Sequence, residues 1–375
     1  MEPENPPQPG AAPAASQPEP DYSLAPPQLL PPEEPPHYLR WIFIGQEGLR
    51  PVWSVILFLL LFSAFAAVFV SAINHVYPSN ARAAGLEPKS GLLMEAASLL
   101  ALAAALVARA EGRRIMAYNL TGPRRTRHFL FGLAGGFLAL SALVGTLAAG
   151  GWLRFGPASL AGAALVGFGL LWACVFLMTG MFEEGLFRCY LQFTLARGIN
   201  FWWALGLVAA MCACLVFFVR GSASVGVYAA AVLGLFPCLA LHLKAAPRRG
   251  GFWYAAWVTS TLFGFVHISN PNEAGIGIFA AAAIGFVFCV SLRVTGSAWW
   301  AIGCHAGWDW GETYFYGTAD SGLTPHGSYL SSTAAGNAFW SGGGVGPEGS
   351  VLVLGAILLL LVAVLVYGRM SRGQA

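Results

Sequence analysis

Apolar residues in this chain occur in long runs, and short stretches between the runs hold nearly all of the charged residues. About 20 consecutive apolar residues suffice for an α-helix to cross the hydrocarbon core of a bilayer. The pattern therefore predicts ten membrane-spanning helices and an all-α polytopic membrane protein. The predicted spans are 52–74, 91–109, 129–151, 158–194, 200–219, 221–243, 251–268, 274–293, 297–315 and 350–368.

The composition agrees with a protein that lies in a lipid bilayer. Hydrophobic residues make up 57% of the 375 residues and charged residues only 10%, whereas roughly a quarter of a soluble domain is charged. The formal net charge of +3 comes from basic residues spread between the apolar runs. Because they form no single basic patch, we expect no nucleic-acid partner.

The chain divides into five predicted segments. Residues 1–38 hold thirteen of the 23 prolines and should form a disordered tail. The other four segments are N-terminal transmembrane helices at 39–154, a core at 155–316, an outer loop at 317–349, and a last helix with a short inner tail at 350–375. Two spans within the core, at about 200–245, can be interpreted as an inserted hairpin.

The basic residues also predict an orientation. With the N-terminus inside, the inner segments hold fifteen Lys and Arg and the outer segments four, and the loop at 317–349 holds none. Positively charged loops stay on the cytoplasmic side. We therefore expect both termini in the cytoplasm and a multi-pass protein of a cytoplasmic membrane.

The first stretch that could carry out chemistry contains Glu183, Glu184 and Arg188. It follows 28 uncharged residues, from Phe155 to Phe182. On a helix, Glu184 and Arg188 are four residues apart and can form an ion pair. Glu183 points elsewhere, and a free carboxylate in an apolar site is suited to act as a general base near neutral pH. A structural ion pair with a stray interfacial glutamate explains the same residues equally well.

Two later stretches supply histidines. Phe263 precedes His267 by one helical turn and could shape its pocket, although a lone His at a helix end is more often a cap. His305 and Asp309 are four apart, so they share a helix face, and the carboxylate can fix the tautomer of the imidazole. Together with Glu183 these residues suit water activation for hydrolysis, or a zinc site formed by Glu183, His267, His305 and Asp309.

The three stretches together resemble a known family. Glu-Glu-x-x-x-Arg at 183–188, Phe-x-x-x-His at 263–267 and His-x-x-x-Asp at 305–309 are similar to the motif set of the CAAX prenyl endopeptidase and bacteriocin-processing family. This family includes CAAX prenyl protease 2 and the lysostaphin-resistance-protein-A-like proteins. The resemblance covers about residues 175–313, and the run at 340–350 resembles the tail of bacterial members.

The resemblance implies an intramembrane endopeptidase that hydrolyses a peptide bond near the bilayer of a bacterial cytoplasmic membrane. It makes Glu183 the base that activates water and His267 the residue that holds that water. His305 and Asp309 would stabilise the oxyanion, and Arg188 would lock Glu184 and its helix. The implied partner is a peptide or protein, which in this family can be lipid-modified. The mechanism is either metal-free glutamate catalysis or zinc-assisted, because both need the same side chains.

Two departures from the family leave alternatives open. Position 309 is Asp where Asn often stands, and an anionic Asp cannot donate to an oxyanion, so it would orient a charged His305 or bind a metal. Glu183 of the first motif and His267 of the second are 84 residues apart, and this long separation accommodates the two spans of the proposed hairpin at about 200–245. A non-catalytic scaffold or immunity protein of the same fold, and a proton-coupled transporter that uses Glu183, His267 and Asp309, are the alternative functions.

Overall fold

The structure is a computed structural model that describes residues 43–45, 48–76, 87–108, 113–218, 250–273 and 275–372. The predicted tail at 1–38 and the predicted span 221–243, with its half of the proposed hairpin, lie outside these residues. The helices are α1 (Pro51–Val76), α2 (Pro88–Ala108), α3 (Arg125–Ala149), α4 (Gly162–Glu184), α5 (Gln192–Ala196), α6 (Phe201–Phe218), α7 (Gly250–Val266), α8 (Gly275–Thr295), α9 (Trp299–Asp309), α10 (Ala338–Ser341) and α11 (Val353–Arg372).

The helices confirm the predicted fold class. Nine of the ten predicted spans correspond to helical segments whose ends lie within a few residues of the predicted ones. Within the described residues, six segments are long and apolar enough to cross a membrane: Pro51–His75, Pro88–Ala108, Arg125–Ala149, Gly162–Ala196, Gly275–Thr295 and Val353–Ser371. Helices α6, α7 and α9 are shorter. Many large apolar side chains face outward, as lipid-facing positions of an integral membrane protein do.

Two glycine pairs place α9 directly against α3. A Cβ atom on Gly132 would overlap the backbone oxygen of Trp300, and one on Gly136 would overlap that of Cys304. Gly303 and Gly307 of α9 are equally close to the backbone of α3. Small residues spaced four apart let two membrane helices touch along their backbones. Since His305 lies between Gly303 and Gly307, this contact fixes the depth of His305 in the bundle.

The long fourth apolar run is one helical segment with a change of geometry in its middle. Helix α4 ends at Glu184, a π-helical segment covers Gly185–Leu191, and α5 continues to Ala196. A second π-helical segment, Trp310–Tyr316, directly follows α9. Such segments are rare in proteins, and those that occur often lie at functional sites. Both begin immediately after residues of the predicted motifs.

The strands are short. β1 (Ile44–Gly45) pairs with β2 (Gly48–Leu49), and β3 (Leu153–Phe155) pairs antiparallel with β4 (Ser332–Ala334) in the outer loop. The loop also packs against the turn after His267, because a Cβ on Gly322 would overlap the backbone oxygen of Pro271 and one on Gly344 would approach the Asn272 side chain. Within the loop, the amide of Gly322 donates to the backbone oxygen of Val345. The loop at 317–349 is therefore attached to the bundle at several points.

Candidate active site

Glu184 and Arg188 form the ion pair that their spacing predicts. Arg188 Nε lies 3.1 Å from Glu184 Oε2, Arg188 Nη1 lies 3.3 Å from Oε1, and both side chains have no solvent exposure. The pair spans the junction between α4 and the π-helical segment. The backbone oxygen of Arg188 accepts a hydrogen bond of 2.8 Å from the Asn119 side chain. This bond satisfies a carbonyl in the widened turn.

The guanidinium of Arg188 lies among aromatic rings. Its Cζ atom is 4.4 Å from the ring centre of Phe263, 5.2 Å from that of Phe288 and 5.6 Å from that of Phe187. Gly285 of α8 leaves room for this group, because a Cβ there would approach Arg188 Nη2. A cation over aromatic faces is stabilised by the ring quadrupoles, most strongly where water is excluded. Phe263 therefore contacts Arg188 and also lies beside His267 and His305.

His305 is the centre of the charged contacts. Its Nδ1 lies 2.9 Å from Glu184 Oε1, and its Nε2 lies 3.4 Å from Asp309 Oδ2 and 3.7 Å from Glu183 Oε2. The short contact is a hydrogen bond in which Nδ1–H donates to Glu184, so Glu184 serves both Arg188 and His305. The two longer distances leave Nε2 directed between Glu183 and Asp309 without a tight bond.

His267 begins a 3₁₀ turn at the end of α7, His267–Ser269. Its Nδ1 lies 2.6 Å from the backbone oxygen of Phe263, and its ring centre is 4.7 Å from the Phe263 ring. Because a carbonyl only accepts, Nδ1 carries the proton and Nε2 of the neutral ring is left as an acceptor. His267 can therefore accept a hydrogen bond from a water molecule in the cavity.

These residues meet at one cavity of about 490 Å³. Its lining includes Glu183, His267, His305 and Asp309, with Phe263 beside them. Glu183 is 28% exposed and His305 is 12% exposed, whereas Glu184 and Arg188 are completely buried behind them. Helical spacing predicts the same difference between the two glutamates, with Glu184 paired and Glu183 free. The catalytic roles expected for these residues remain predictions.

The sequence reasoning overlooked Glu95, a carboxylate in the second span. Glu95 of α2 lines the same cavity and interacts electrostatically with Glu183 and His305. Its Oε2 atom is buried and accepts no hydrogen bond from any residue that the structure describes. A charged residue inside an apolar span is itself a sign of a functional site. That rule would have identified Glu95, which belongs to none of the three motifs.

The contacts do not fit a zinc ion on the expected ligands. Zinc binds four ligand atoms at about 2.0–2.3 Å, which places these atoms close together. Among the described residues, the only group of three or more His, Cys, Asp and Glu ligand atoms within 4.8 Å of one another is Glu312, Asp320 and Glu348. Glu183, His267, His305 and Asp309 do not form such a group, and His305 uses Nδ1 on Glu184.

The fold and the site define the class: a polytopic helical membrane protein whose helices α4, α7 and α9 bring carboxylates and imidazoles to one cavity. Residues 238–311 match the family model described as "Rce1-like: Type II CAAX prenyl endopeptidase Rce1-like". The match confirms the resemblance to CAAX endopeptidases for that part of the chain. It includes His267, His305 and Asp309, whereas the Glu183–Arg188 motif precedes it. The comparisons with curated proteins and with solved structures find no match.

Proposed function

We propose that the chain is an intramembrane endopeptidase that hydrolyses a peptide bond near the bilayer without a metal. One observation carries the proposal: Glu183, His267 and His305, from three separate helical segments, line one cavity with Asp309. Each is a residue type that hydrolysis needs, and the family match covers the second and third of these segments. We further propose a bacterial cytoplasmic membrane with both termini inside.

The chemistry begins with a water molecule held by Nε2 of His267. Glu183 takes a proton from this water while the oxygen of the water bonds to the scissile carbonyl carbon. A positively charged His305 donates Nε2–H to the oxyanion that forms. Asp309, 3.4 Å from Nε2, compensates the charge of His305 and does not itself donate. The C–N bond then breaks, and Glu183 returns its proton to the leaving amine.

Glu184 and Arg188 have a supporting part in this proposal. The Glu184 carboxylate accepts from Nδ1 of His305 at 2.9 Å, which directs Nε2 into the cavity. Arg188 compensates the charge of Glu184 at 3.1 Å. An acceptor behind a catalytic imidazole fixes its tautomer and its ring orientation. Phe263 and Phe288 limit rotation of the His305 ring, with ring centres 6.2 and 6.0 Å away.

The experiment compares membranes that contain the wild-type chain or Glu183→Gln by profiling new N- and C-termini, and then assays the purified protein on peptides found to be cleaved. We expect Glu183→Gln, His267→Ala and His305→Ala each to lower kcat at least about 100-fold, as loss of an acid–base group does. Glu87→Gln, a carboxylate before α2 and outside the cavity lining, is the control and should retain wild-type kcat.

The same assay separates the metal-free mechanism from a zinc mechanism. Turnover should be unchanged by 1,10-phenanthroline, a chelator that removes zinc. This chelator binds calcium poorly, so the result reports on zinc and not on calcium. Unchanged turnover in Glu183→Gln and His267→Ala would refute the site assignment. Loss of activity with phenanthroline that zinc restores would refute the metal-free mechanism.

A further inference from the structure

A second set of carboxylates lies beyond Asp309, at the end of the cavity that the outer loop covers. Glu312 belongs to the π-helical segment after α9, Asp320 to a turn of the loop, and Glu348 to the turn Pro347–Gly349. One oxygen of each lies within 4.8 Å of an oxygen of each of the others. We call these three residues the outer carboxylate cluster. None of them belongs to the three motifs.

The hydrogen-bond donors that the structure describes for this cluster are all neutral. Trp308 Nε1 donates to Glu312 Oε2 at 2.8 Å and to Glu348 Oε1 at 3.1 Å. Thr313 donates to Asp320 Oδ2 at 2.6 Å, and Ser321 donates to Glu348 Oε2 at 3.1 Å. Within the described residues, no Lys, Arg or His forms an ion pair with any of the three carboxylates. No described ion pair therefore compensates their charge directly.

Glu312 gives the strongest sign that something else binds here. Its side chain has no solvent exposure, and its Oε1 atom has no hydrogen-bond partner among the described residues. An unpaired buried carboxylate oxygen is costly unless a proton or a cation compensates it.

We propose that the outer carboxylate cluster binds a Ca²⁺ ion. The donor set consists of oxygens only, which is the preference of hard divalent cations and not of zinc. Ca²⁺ lies about 2.3–2.6 Å from its ligands, so opposite ligands are about 4.6–5.2 Å apart. The three oxygens lie within 4.8 Å of one another and are close enough to share one such ion. Mg²⁺ usually keeps several waters and one or two carboxylates, whereas Ca²⁺ accepts a larger number of protein oxygens, so three carboxylates favour Ca²⁺. Asp320 and Glu348 also line the cavity, so water can complete the coordination.

The backbone brings the three carboxylates together from distant parts of the chain. Ser321 and Gly322 both have positive φ, 45° and 83°, and form the turn that holds Asp320 against Leu323. Gly346, with φ 110°, precedes the turn that contains Glu348. A cation here would join the end of α9 to two separate parts of the outer loop. It would thereby hold that loop over the outer end of the cavity.

The experiment measures Ca²⁺ and Tb³⁺ binding by the full-length purified protein. Tb³⁺ occupies calcium sites and emits when a nearby tryptophan is excited, and Trp308 touches two of the three carboxylates. We expect sensitised Tb³⁺ emission that Ca²⁺ displaces, and a rise in Tm with Ca²⁺. Asp320→Asn combined with Glu348→Gln should weaken binding at least about tenfold, because affinity follows the number of ligand charges.

Two matched variants make the result specific. Glu273→Gln removes another carboxylate that lines the cavity but is not part of the cluster, and it should bind Tb³⁺ like the wild type. Glu183→Gln should also bind normally, although it should lose hydrolysis, so failure of this proposal is distinct from failure of the proposed function. If the double variant does not fold, the isosteric single variant Asp320→Asn replaces it. Wild-type protein without a Ca²⁺-dependent Tm, or equal Tb³⁺ binding by the cluster variants, would overturn the proposal.

Discussion

Two groups of carboxylates lie along one cavity, and they differ in how their charge is compensated. The motif cluster consists of Glu183, Glu184, Arg188, His305 and Asp309, and it contains a guanidinium and an imidazole within 4 Å of its carboxylates. The outer carboxylate cluster has only neutral donors among the residues that the structure describes. The comparison indicates that the motif cluster can be charged without a bound ion, whereas the outer cluster requires protons or a cation.

The largest expected effect comes from removing the cation of the motif cluster. Arg188→Met leaves Glu184 completely buried with His305 as its remaining charged partner. Breaking a buried ion pair by removal of one partner costs about 3–5 kcal/mol of unfolding free energy. Unfolding in mixed detergent micelles measures this loss. The double variant Glu184→Gln, Arg188→Met should lose less, and equal losses would show that charge compensation is not what Arg188 provides.

A smaller effect should follow from separating the helices that position the motif cluster. Gly136→Ala places a methyl group against the backbone oxygen of Cys304, one residue before His305. Overpacking of this kind costs about 1–3 kcal/mol. Gly145→Ala on the same helix is the matched control, because no atom lies within 4 Å of its Cβ position. Equal unfolding free energies for the two variants would contradict a close backbone contact between α3 and α9.

The smallest effect is a pH dependence that belongs to the outer cluster. Burial, followed by the charge of Glu348, raises the pKa of Asp320 from its ordinary value of 3.8 to about 7 in the folded chain, so between these values the folded state keeps a proton that the unfolded state has released. Without calcium, stability should therefore fall as the pH rises from about 4 to about 7, by at most about 1.4 kcal/mol per pH unit for this group. Denaturant titrations at several pH values measure the fall.

Two controls decide whether Asp320 causes this fall. Asp320→Asn should have a shallower slope than the wild type over the same pH range, and saturating Ca²⁺ should flatten the wild-type slope. A slope that neither change affects would assign the titration to other groups. In the same denaturant titrations, the loss of unfolding free energy caused by Arg188→Met should not depend on Ca²⁺. This independence is the contrast between the two groups.

Within the described residues, the sequence was sufficient to predict nine helical spans and the residues that form the motif cluster. In a bilayer, the backbone N–H and C=O groups of an apolar run must form hydrogen bonds within that run, which makes it helical. Run length therefore predicts helix bounds closely, as for α8 at 275–295 against the predicted 274–293. Helical spacing predicted the contact between Glu184 and Arg188 and the shared face of His305 and Asp309. It did not predict that Glu184 also binds His305, because that contact joins residues 121 positions apart.

The outer cluster was beyond the same reasoning. Asp320 and Glu348 lie in a loop without periodicity, and positive φ values at Ser321 and Gly346 direct the chain there. Neither the pairing of β3 with β4 nor the contact of Gly322 with Pro271 leaves a pattern in the sequence. Such long-range loop contacts depend on the packed bundle and not on local residue preferences.

The π-helical segment Gly185–Leu191 has a consequence for how relatives of this chain should be aligned. A π-turn contains one more residue than an α-turn, so it amounts to a single-residue insertion inside an otherwise continuous helix. Each residue of an α-helix turns the chain by about 100°. A relative that lacks this extra residue would present a different face after Glu184. A gap of one residue within 185–191 is therefore a meaningful difference between proteins, whereas a long gap in the outer loop can leave every helix in register.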